Sequence, residues 1–474
     1  MRLPALDELT KNQRDIYLYA PIDTNVLVSG PPGCGKTLIA GLRAEEMVKR
    51  GMPTKLAMFN SVLKQYTQGK TEESYQTITI TRFFADWIEN SLAEMLKGTF
   101  DLRTFIAEKR RQIYWEKLTN FLEEQITNEA LQAEEFSFGY LIVDEGQDFP
   151  PTFYSFLNCL AFIGNFLESE YPLKCLVLAD ENQKLTDNNS TLDEIKEMLN
   201  VDDEHYYKLV DNFRNSKEVA KLAKSFFANV GVMPVEPTRC SEIPELIQYQ
   251  SVFSFLDYLN VWLKNHPGKE VGILCFKENT RSHLEKEIRK YLDVNYRFQT
   301  YSSKTYVENP VTDLQFDVPN TLTLLNVQSC KGLEFDTVFL VNPADLKLDD
   351  ASLHLDKMTL FVATSRARDI VKMINYNNFD IENSRVKILP PHDILSRINW
   401  DSPHLPVTKA NTQNWEDATL ALIAQYQLDY FDRSEKGGYF WIYTDMKLST
   451  ELLQLGFQYA EEKGAWWREG EDKA

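Results

Sequence analysis

No stretch of the 474 residues strings together the ~20 apolar residues that a membrane-spanning helix needs. The opening MRLPALDELTKNQ lacks the apolar centre of a secretory signal. C-x-x-C pairs are missing too. The six cysteines (Cys34, Cys159, Cys175, Cys240, Cys275 and Cys330) are scattered, which argues against a disulfide framework or a structural zinc site and points to a reducing, cytoplasmic setting. Positive charge is scarce. Lys and Arg number 51 against 70 Asp and Glu, a net charge of −19. Proteins that grip duplex DNA by its phosphates show the opposite balance. Either no nucleic acid is bound, or it lies in a local groove made of stacking rings and a few cations.

What is present is ordinary for a soluble globular chain: 43% apolar and 26% charged residues, long enough for two or three domains. Two stretches carry chemistry. In NVLVSGPPGCGKTLIAGLRAEEMV (25–48) a short apolar strand enters a glycine-rich turn and a helical pattern leaves it. Gly30, Gly33, Gly35, Lys36 and Thr37 lie in a G-x-x-x-x-G-K-T match in the strand–loop–helix context that a phosphate-binding loop needs. Glycines let backbone N–H groups close on phosphate oxygens, the helix N-terminus adds positive potential, Lys36 reaches the outer phosphates, and the Thr37 hydroxyl suits Mg²⁺. In YLIVDEGQDFP (140–150) another buried strand ends in adjacent acids. Asp144 is expected to hold Mg²⁺. Glu145 is placed to orient and deprotonate a water, which favours hydrolysis of ATP over transfer to a substrate hydroxyl.

DEGQD together with the glycine-rich loop resembles superfamily I helicases, in particular the UvrD/Rep-like branch. Further stretches extend that likeness in chain order over roughly residues 9–373. LTKNQRDIY supplies Gln13, which the resemblance assigns to the adenine edge. KLAMFNSVLKQY (55–66) and ITITRFFADW (78–87) stand where the family contacts single-stranded nucleic acid, and their aromatics Phe59, Tyr66 and Phe83 fit either stacking platforms or core. LVLADENQKL (176–185) supplies Asp180 and Gln183, the latter a γ-phosphate sensor, although Ala179 stands where glycine is more usual. LVDNFRNSKEVAKLA (209–223) resembles the fourth motif, with Phe213 on the adenine and Arg214 on the γ-phosphate. LLNVQSCKGLEFDTVFLV (324–341) resembles the fifth, with Glu334 on the ribose and Gln328 in place of the usual histidine. LFVATSRARDIVKM (360–373) resembles the sixth, with Arg366 as an arginine finger. The residues agree with this. A phosphate loop needs a cation for the charge developing on the breaking bond, and Arg214 and Arg366 lie far downstream.

The resemblance and the strand–helix alternation imply an α/β chain of two RecA-like P-loop NTPase domains. The first covers 1–206, with a small helical insertion at about 89–135. The second covers 207–390, and 391–474 is a small α+β accessory domain. In the insertion, LRTFIAEKRRQIYWEKLTNFLEEQI has helical apolar spacing and carries Arg103, Lys109, Arg110, Arg111 and Lys117, either a backbone-gripping cluster or a solvated helix face. The second domain leaves no room for the large insertion that UvrD-like helicases carry. In the tail, DATLALIAQYQLDYFD reads as helix, GGYFWIY as strand, LSTELLQLGF as helix and GAWWRE as strand. Five of eight tryptophans fall at 400, 415, 441, 466 and 467, fitting a small aromatic core, a base-stacking surface or a protein-docking patch. Asp445 and Lys447 form no complete nuclease set. The expected function is a Mg-ATP-driven helicase or translocase on single-stranded nucleic acid, DNA in preference to RNA, with 3′→5′ polarity implied by the resemblance. The alternative is a nucleotide-gated switch or ATPase subunit whose closure is read by a protein partner, such as a nuclease, on the tail or the insertion.

Overall fold

The computed structural model describes residues 9–58, 75–95, 104–107, 112–127, 130–181, 189–228, 231–249, 251–302, 314–376 and 387–399, and from 415 onward 415–426, 428–432, 438–444, 452, 455–460, 463 and 465–469. It divides into two units. The first comprises Met1–Ile247, Lys269–Lys290 and Tyr296–Ile398; the second comprises Gln248–Gly268, Tyr291–Asn295 and Asn399–Ala474.

In chain order, the first unit opens with β1 (Val26–Ser29), β2 (Thr54–Met58), β3 (Gln76–Thr79), β4 (Ile106–Ala107), β5 (Gln112–Ile113), β6 (Tyr140–Val143), β7 (Lys174–Ala179) and β8 (Tyr206–Lys208). Six of these make one sheet in the order β3-β2-β6-β7-β1-β8, every pair parallel. Parallel strands are covered on both faces, so they read as continuous apolar runs. The pleat then sorts each run between two cores. Val26 and Val28, Tyr140 and Ile142, and Leu176 and Leu178 face one core; Leu27, Leu141, Val143, Cys175 and Val177 face the other. The first core takes helix Lys36–Lys49. The second takes helices Ile80–Trp87, Trp115–Thr127 and Pro151–Phe166, where Phe84, Trp87, Trp115, Phe153 and Phe156 meet mostly edge to face.

The insertion departs from its expected form. A continuous helix does not span 102–126: β4 and β5 pair antiparallel, Ile106 opposite Ile113, and only Trp115–Thr127 is helical. Both isoleucines are buried, and a β-branched pair across a short ladder suits a pleated surface better than a helix. Lys117 has its ammonium 4.8 Å above the Tyr114 ring. Arg103 and Lys109–Arg111 lie outside the described residues.

The second sheet follows with β9 (Glu245–Gln248), β10 (Glu270–Cys275), β11 (Arg297–Thr300), β12 (Thr321–Asn326), β13 (Phe335–Val341), β14 (Ala367–Asn375) and β15 (Ser396–Asn399). Its order is β11-β12-β10-β13-β14-β9-β15, parallel from β11 to β14. Apolar residues of β10, β12, β13, β14 and helix Leu353–Thr364 join the first core, so one apolar body reaches from the glycine-loop helix to the second sheet.

The second unit carries β16 (Asp429–Asp432), β17 (Tyr439–Tyr443), β18 (Gln458–Ala460) and β19 (Ala465–Glu469), an antiparallel sheet in the order β16-β17-β19-β18. The helix expected over DATLALIAQYQLDYFD stops at Tyr426, and DYFD pairs as an edge strand instead. Phe440, Ile442, Leu452, Phe457 and Trp466 form the core of this sheet with Ile423.

Candidate functional site

In an open parallel sheet the strand C-termini gather loops into one crevice. Here β6, β7 and β1 are neighbours, and they end in Asp144, Asp180 and the glycine-rich loop. Two glycines take left-handed backbone angles, Gly33 at φ +81° and Gly35 at φ +90°. A Cβ on Gly33 would lie 2.7 Å from Asn212 Oδ1, and one on Gly35 would lie 2.8 Å from Gln13 Nε2, so both turns exclude side chains. Gly35 caps the 14-residue helix that starts at Lys36, whose first N–H groups therefore open toward the loop.

Lys36 is buried. Its ammonium donates to the carbonyls of Gly30 (2.6 Å) and Pro31 (3.1 Å) and lies 3.9 Å from Asp180. Thr37 Oγ1 donates to Asp144 Oδ2 at 2.7 Å, which sets a hydroxyl and a carboxylate side by side. Glu145 is a non-glycine residue at φ 54°, a costly conformation that turns the chain directly after the strand. Gln147 secures it: its Nε2 donates to Glu145 Oε2 (2.7 Å) while its Oε1 accepts the N–H of Asp180 (2.8 Å). Burial, and next the charge of Glu145, push the Asp144 carboxyl up to about 6. Burial also disfavours the Glu145 carboxylate, but Lys36, Arg366 and the Gln147 hydrogen bond outweigh it and hold the group below the usual range. The environments of these two adjacent acids thereby shift them in opposite directions.

A second set of residues comes from the segment after β8 and from the second sheet. Phe213 donates its N–H to the Gly33 carbonyl (3.0 Å) and leaves its ring 57% exposed. Asn212 Oδ1 accepts from the N–H groups of Arg214 and Asn215, and Asn215 Nδ2 donates to the carbonyls of Ser365 (3.1 Å) and Ala367. Arg214 Nε meets Glu334 Oε2 at 2.8 Å, and Arg368 Nη2 meets Glu334 Oε1 at 2.8 Å. Burial opposes the Glu334 charge, but these two guanidinium groups prevail and hold its carboxyl down at about 2. Among the described residues Arg214 Nη1, which is buried, has no hydrogen-bond partner. Arg366 is 1% exposed, donates from Nε to the Val362 carbonyl (3.0 Å), and its charge is among those that depress Glu145.

Most of the expected residues therefore converge: Gly30, Gly33, Gly35, Lys36, Thr37, Asp144 and Glu145 on one side, and Phe213, Arg214, Glu334 and Arg366 on the other. Gln13 is buried beneath the loop. It forms a capping box with Thr10, and its Nε2 donates to the Cys34 carbonyl at 3.0 Å. Gln183, Phe59, Tyr66, Asp445 and Lys447 lie outside the described residues. Phe83 is partly buried against the second core, with Lys55 over its ring, and serves packing rather than an open platform. Gln328 is exposed.

Lys331 was not singled out by sequence. Its ammonium reaches Asp148 Oδ1 in a pair that is almost wholly buried, joining the loop after β6 to the turn after β12. A lysine inside the SCKGLE stretch was the available signal, but its partner lies 183 residues away. Among the described residues no group of three or more His, Cys, Asp or Glu side chains could ligate a metal. Mg²⁺ does not require one. It takes one or two carboxylates and completes its shell with water and phosphate oxygens, and the Thr37–Asp144 pair of hard oxygens fits that demand.

Comparison with known proteins supplies a family. The model described as Schlafen group 3, DNA/RNA helicase domain, matches residues 23–377, about three quarters of the chain. No curated protein matches. Among solved structures, the C-terminal domain of a possible DNA helicase from Lactobacillus plantarum WCFS1 aligns at 12% identity and a TM-score of 0.28, over 39% of this chain and 98% of that one. That likeness is too slight to carry an argument.

Proposed function

The chain belongs to the Schlafen group 3 DNA/RNA helicase domain family, and from that premise we propose that it is a Mg-ATP-driven motor on single-stranded nucleic acid, of the UvrD/Rep-like superfamily I type. The observation that carries this reading is the convergence of Lys36, Thr37, Asp144 and Glu145 at the ends of adjacent parallel strands. In it, residues 1–206 and 207–390 act as two RecA-like halves, and 391–474 as an accessory domain.

Bound Mg-ATP supplies an activated phosphoryl group. The N–H groups of the glycine-rich loop and Lys36 would hold its phosphates, and Thr37 and Asp144 would hold the metal. Glu145, kept ionised by Lys36 and Arg366, takes the proton of the attacking water. Arg214, whose Nη1 has no hydrogen-bond partner among the described residues, and Arg366 would neutralise the charge that develops at the γ-phosphate, with Gln183 in the sensing role that the resemblance gives it. Phe213 would stack on the adenine from its exposed position, while Gln13 and Glu334, now bonded to Cys34 and to Arg214 and Arg368, would have to exchange those partners to meet the adenine edge and the ribose. The Lys331–Asp148 and Arg214–Glu334 pairs tie the second sheet to nucleotide occupancy, so hydrolysis and strand movement share one set of contacts. The UvrD/Rep-like resemblance is what makes DNA the proposed strand and 3′→5′ the proposed direction.

ATP hydrolysis by the purified chain, with and without a single-stranded oligonucleotide and at two salt concentrations, tests the proposal. Stimulation of ~10-fold or more, with hydrolysis falling ~100-fold or more in Glu145→Gln while nucleotide binding persists, is the expected result. Hydrolysis that ignores nucleic acid would sink the motor and favour the nucleotide-gated switch.

A further inference from the structure

In the four-stranded sheet of the second unit β17 and β19 alternate between a buried inner face and a more exposed outer one, both aromatic, while the edge strand β16 is exposed on both, at Tyr430 and at Phe431. Along β17, Phe440 and Ile442 are buried while Tyr439 (45%) and Tyr443 (49%) are exposed and Trp441 is half-buried. The register extends the open face across the sheet. Phe431 of β16 stands opposite Trp441, and Trp441 stands opposite Trp467 of β19. A row of three rings thus crosses three neighbouring strands, with Tyr439 and Tyr443 beside it. The Trp441 and Trp467 centroids are 6.2 Å apart with planes inclined at 31°, and Tyr439 meets Trp467 edge-on at 5.4 Å. Lys463 places its ammonium 4.4 Å from the Trp441 centroid.

Stability alone does not explain this face. The inner face already supplies the unit's core with Phe440, Ile442, Phe457 and Trp466. On the opposite face Phe431, Tyr439 and Tyr443 stay exposed and Trp441 and Trp467 half-exposed, apolar surface that costs solvation unless something covers it.

We propose that this face is a stacking platform for single-stranded nucleic acid. Three features select that occupant. The Trp441 and Trp467 rings, 6.2 Å apart, sit at roughly the spacing of bases in an extended strand, and the register puts Phe431 next in the row. Lys463, beside Trp441 in the middle of the row, suits a single phosphate contact, while Asp429 and Glu469 stand opposite Tyr443 and Tyr439 at its margins. Asp429 there opposes the dense phosphates of a duplex, whereas a single strand can lay its bases on the rings and turn its phosphates outward. The overall charge of −19 fits a grip made by bases rather than phosphates. The platform goes beyond the motor reading, because it needs no nucleotide.

The test is binding of a fluorescent oligo-dT to the full chain without nucleotide, for wild type, Trp441→Ala, Trp467→Ala, Phe431→Ala and the conservative Trp441→Phe. Each alanine is expected to raise Kd by about 5- to 100-fold. Trp441→Phe should restore most of the affinity, with thermal midpoints close to wild type in all variants. The slope of log Kd against log salt should stay unchanged, because a ring and not a phosphate contact is lost. Unlabelled duplex should compete poorly. Alanine variants that bind the strand as wild type does, duplex that competes equally, or a wild-type chain that binds no strand would each overturn the proposal. So would variants that only dissolve a dimer, which would make the face an interface between copies. If the platform binds while the strand leaves ATP hydrolysis unchanged, the motor reading fails and this one stands.

Discussion

Replacing Lys331 by methionine isolates a buried carboxylate whose cost can be worked out from the structure. Lys331 and Asp148 pair with side chains only 7% and 1% exposed. Asp148 Oδ1 also accepts from Asn189, but Oδ2 is buried with no hydrogen-bond partner among the described residues. Burial pushes this carboxyl from 3.8 up to about 6 even with the lysine present. A rise of that size already weighs ~3 kcal/mol against the folded state at neutral pH. Removing only the cation leaves the charge uncompensated, and breaking such a pair costs about 3–5 kcal/mol. The sign with pH follows. A carboxyl with a raised folded pKa favours folding below its unfolded pKa and loses that contribution as pH rises through the folded value. Lys331→Met is therefore most damaging near pH 8 and recovers toward pH 5, where Asp148 takes up a proton. Adding Asp148→Asn should rescue it, because an amide buries without charge. Urea unfolding of the three variants and wild type at pH 5 and pH 8, followed by tryptophan fluorescence, measures this. A Lys331→Met loss of equal size at both pH values, or a double variant no better than the single, would refute the reasoning.

Glu334 behaves oppositely. Its carboxyl is held at about 2 against an ordinary 4.5, so its ~3 kcal/mol is present above about pH 4.5 and lost as pH falls toward 2. Glu334→Gln should lose that stability at pH 7 and flatten the acid-unfolding curve. Gly33→Ala forces a Cβ onto φ +81° and to within 2.7 Å of Asn212; about 1–3 kcal/mol of strain should appear in the thermal midpoint, together with weakened nucleotide binding by calorimetry. Arg366→Ala should lower kcat for ATP by ~10³-fold with a much smaller change in nucleotide affinity, which single-turnover hydrolysis would show.

The residues that sequence could place are those whose chemistry is local. A strand, a turn that demands glycine and a helix N-terminus are consecutive in 26–49, and strand β6 runs straight into its two acids. Short-range sterics and the period-two pleat are enough to read them. Pairings across long separations were not legible that way. Arg214 finds Glu334 120 residues on, and Lys331 finds Asp148 183 residues back, because the two sheets share one core that brings their loops together. Tertiary packing also overruled local period. Ile106 and Ile113 fit a helical spacing, but they pair across a hairpin because that buries both. The tail shows the same division. Its tryptophans are plain in the sequence, yet a ring at position 466 and a ring at 467 have opposite fates, one in the core and one on the open face. Alternation along a strand separates those neighbours, but only the partners on each side of the sheet decide which face meets water.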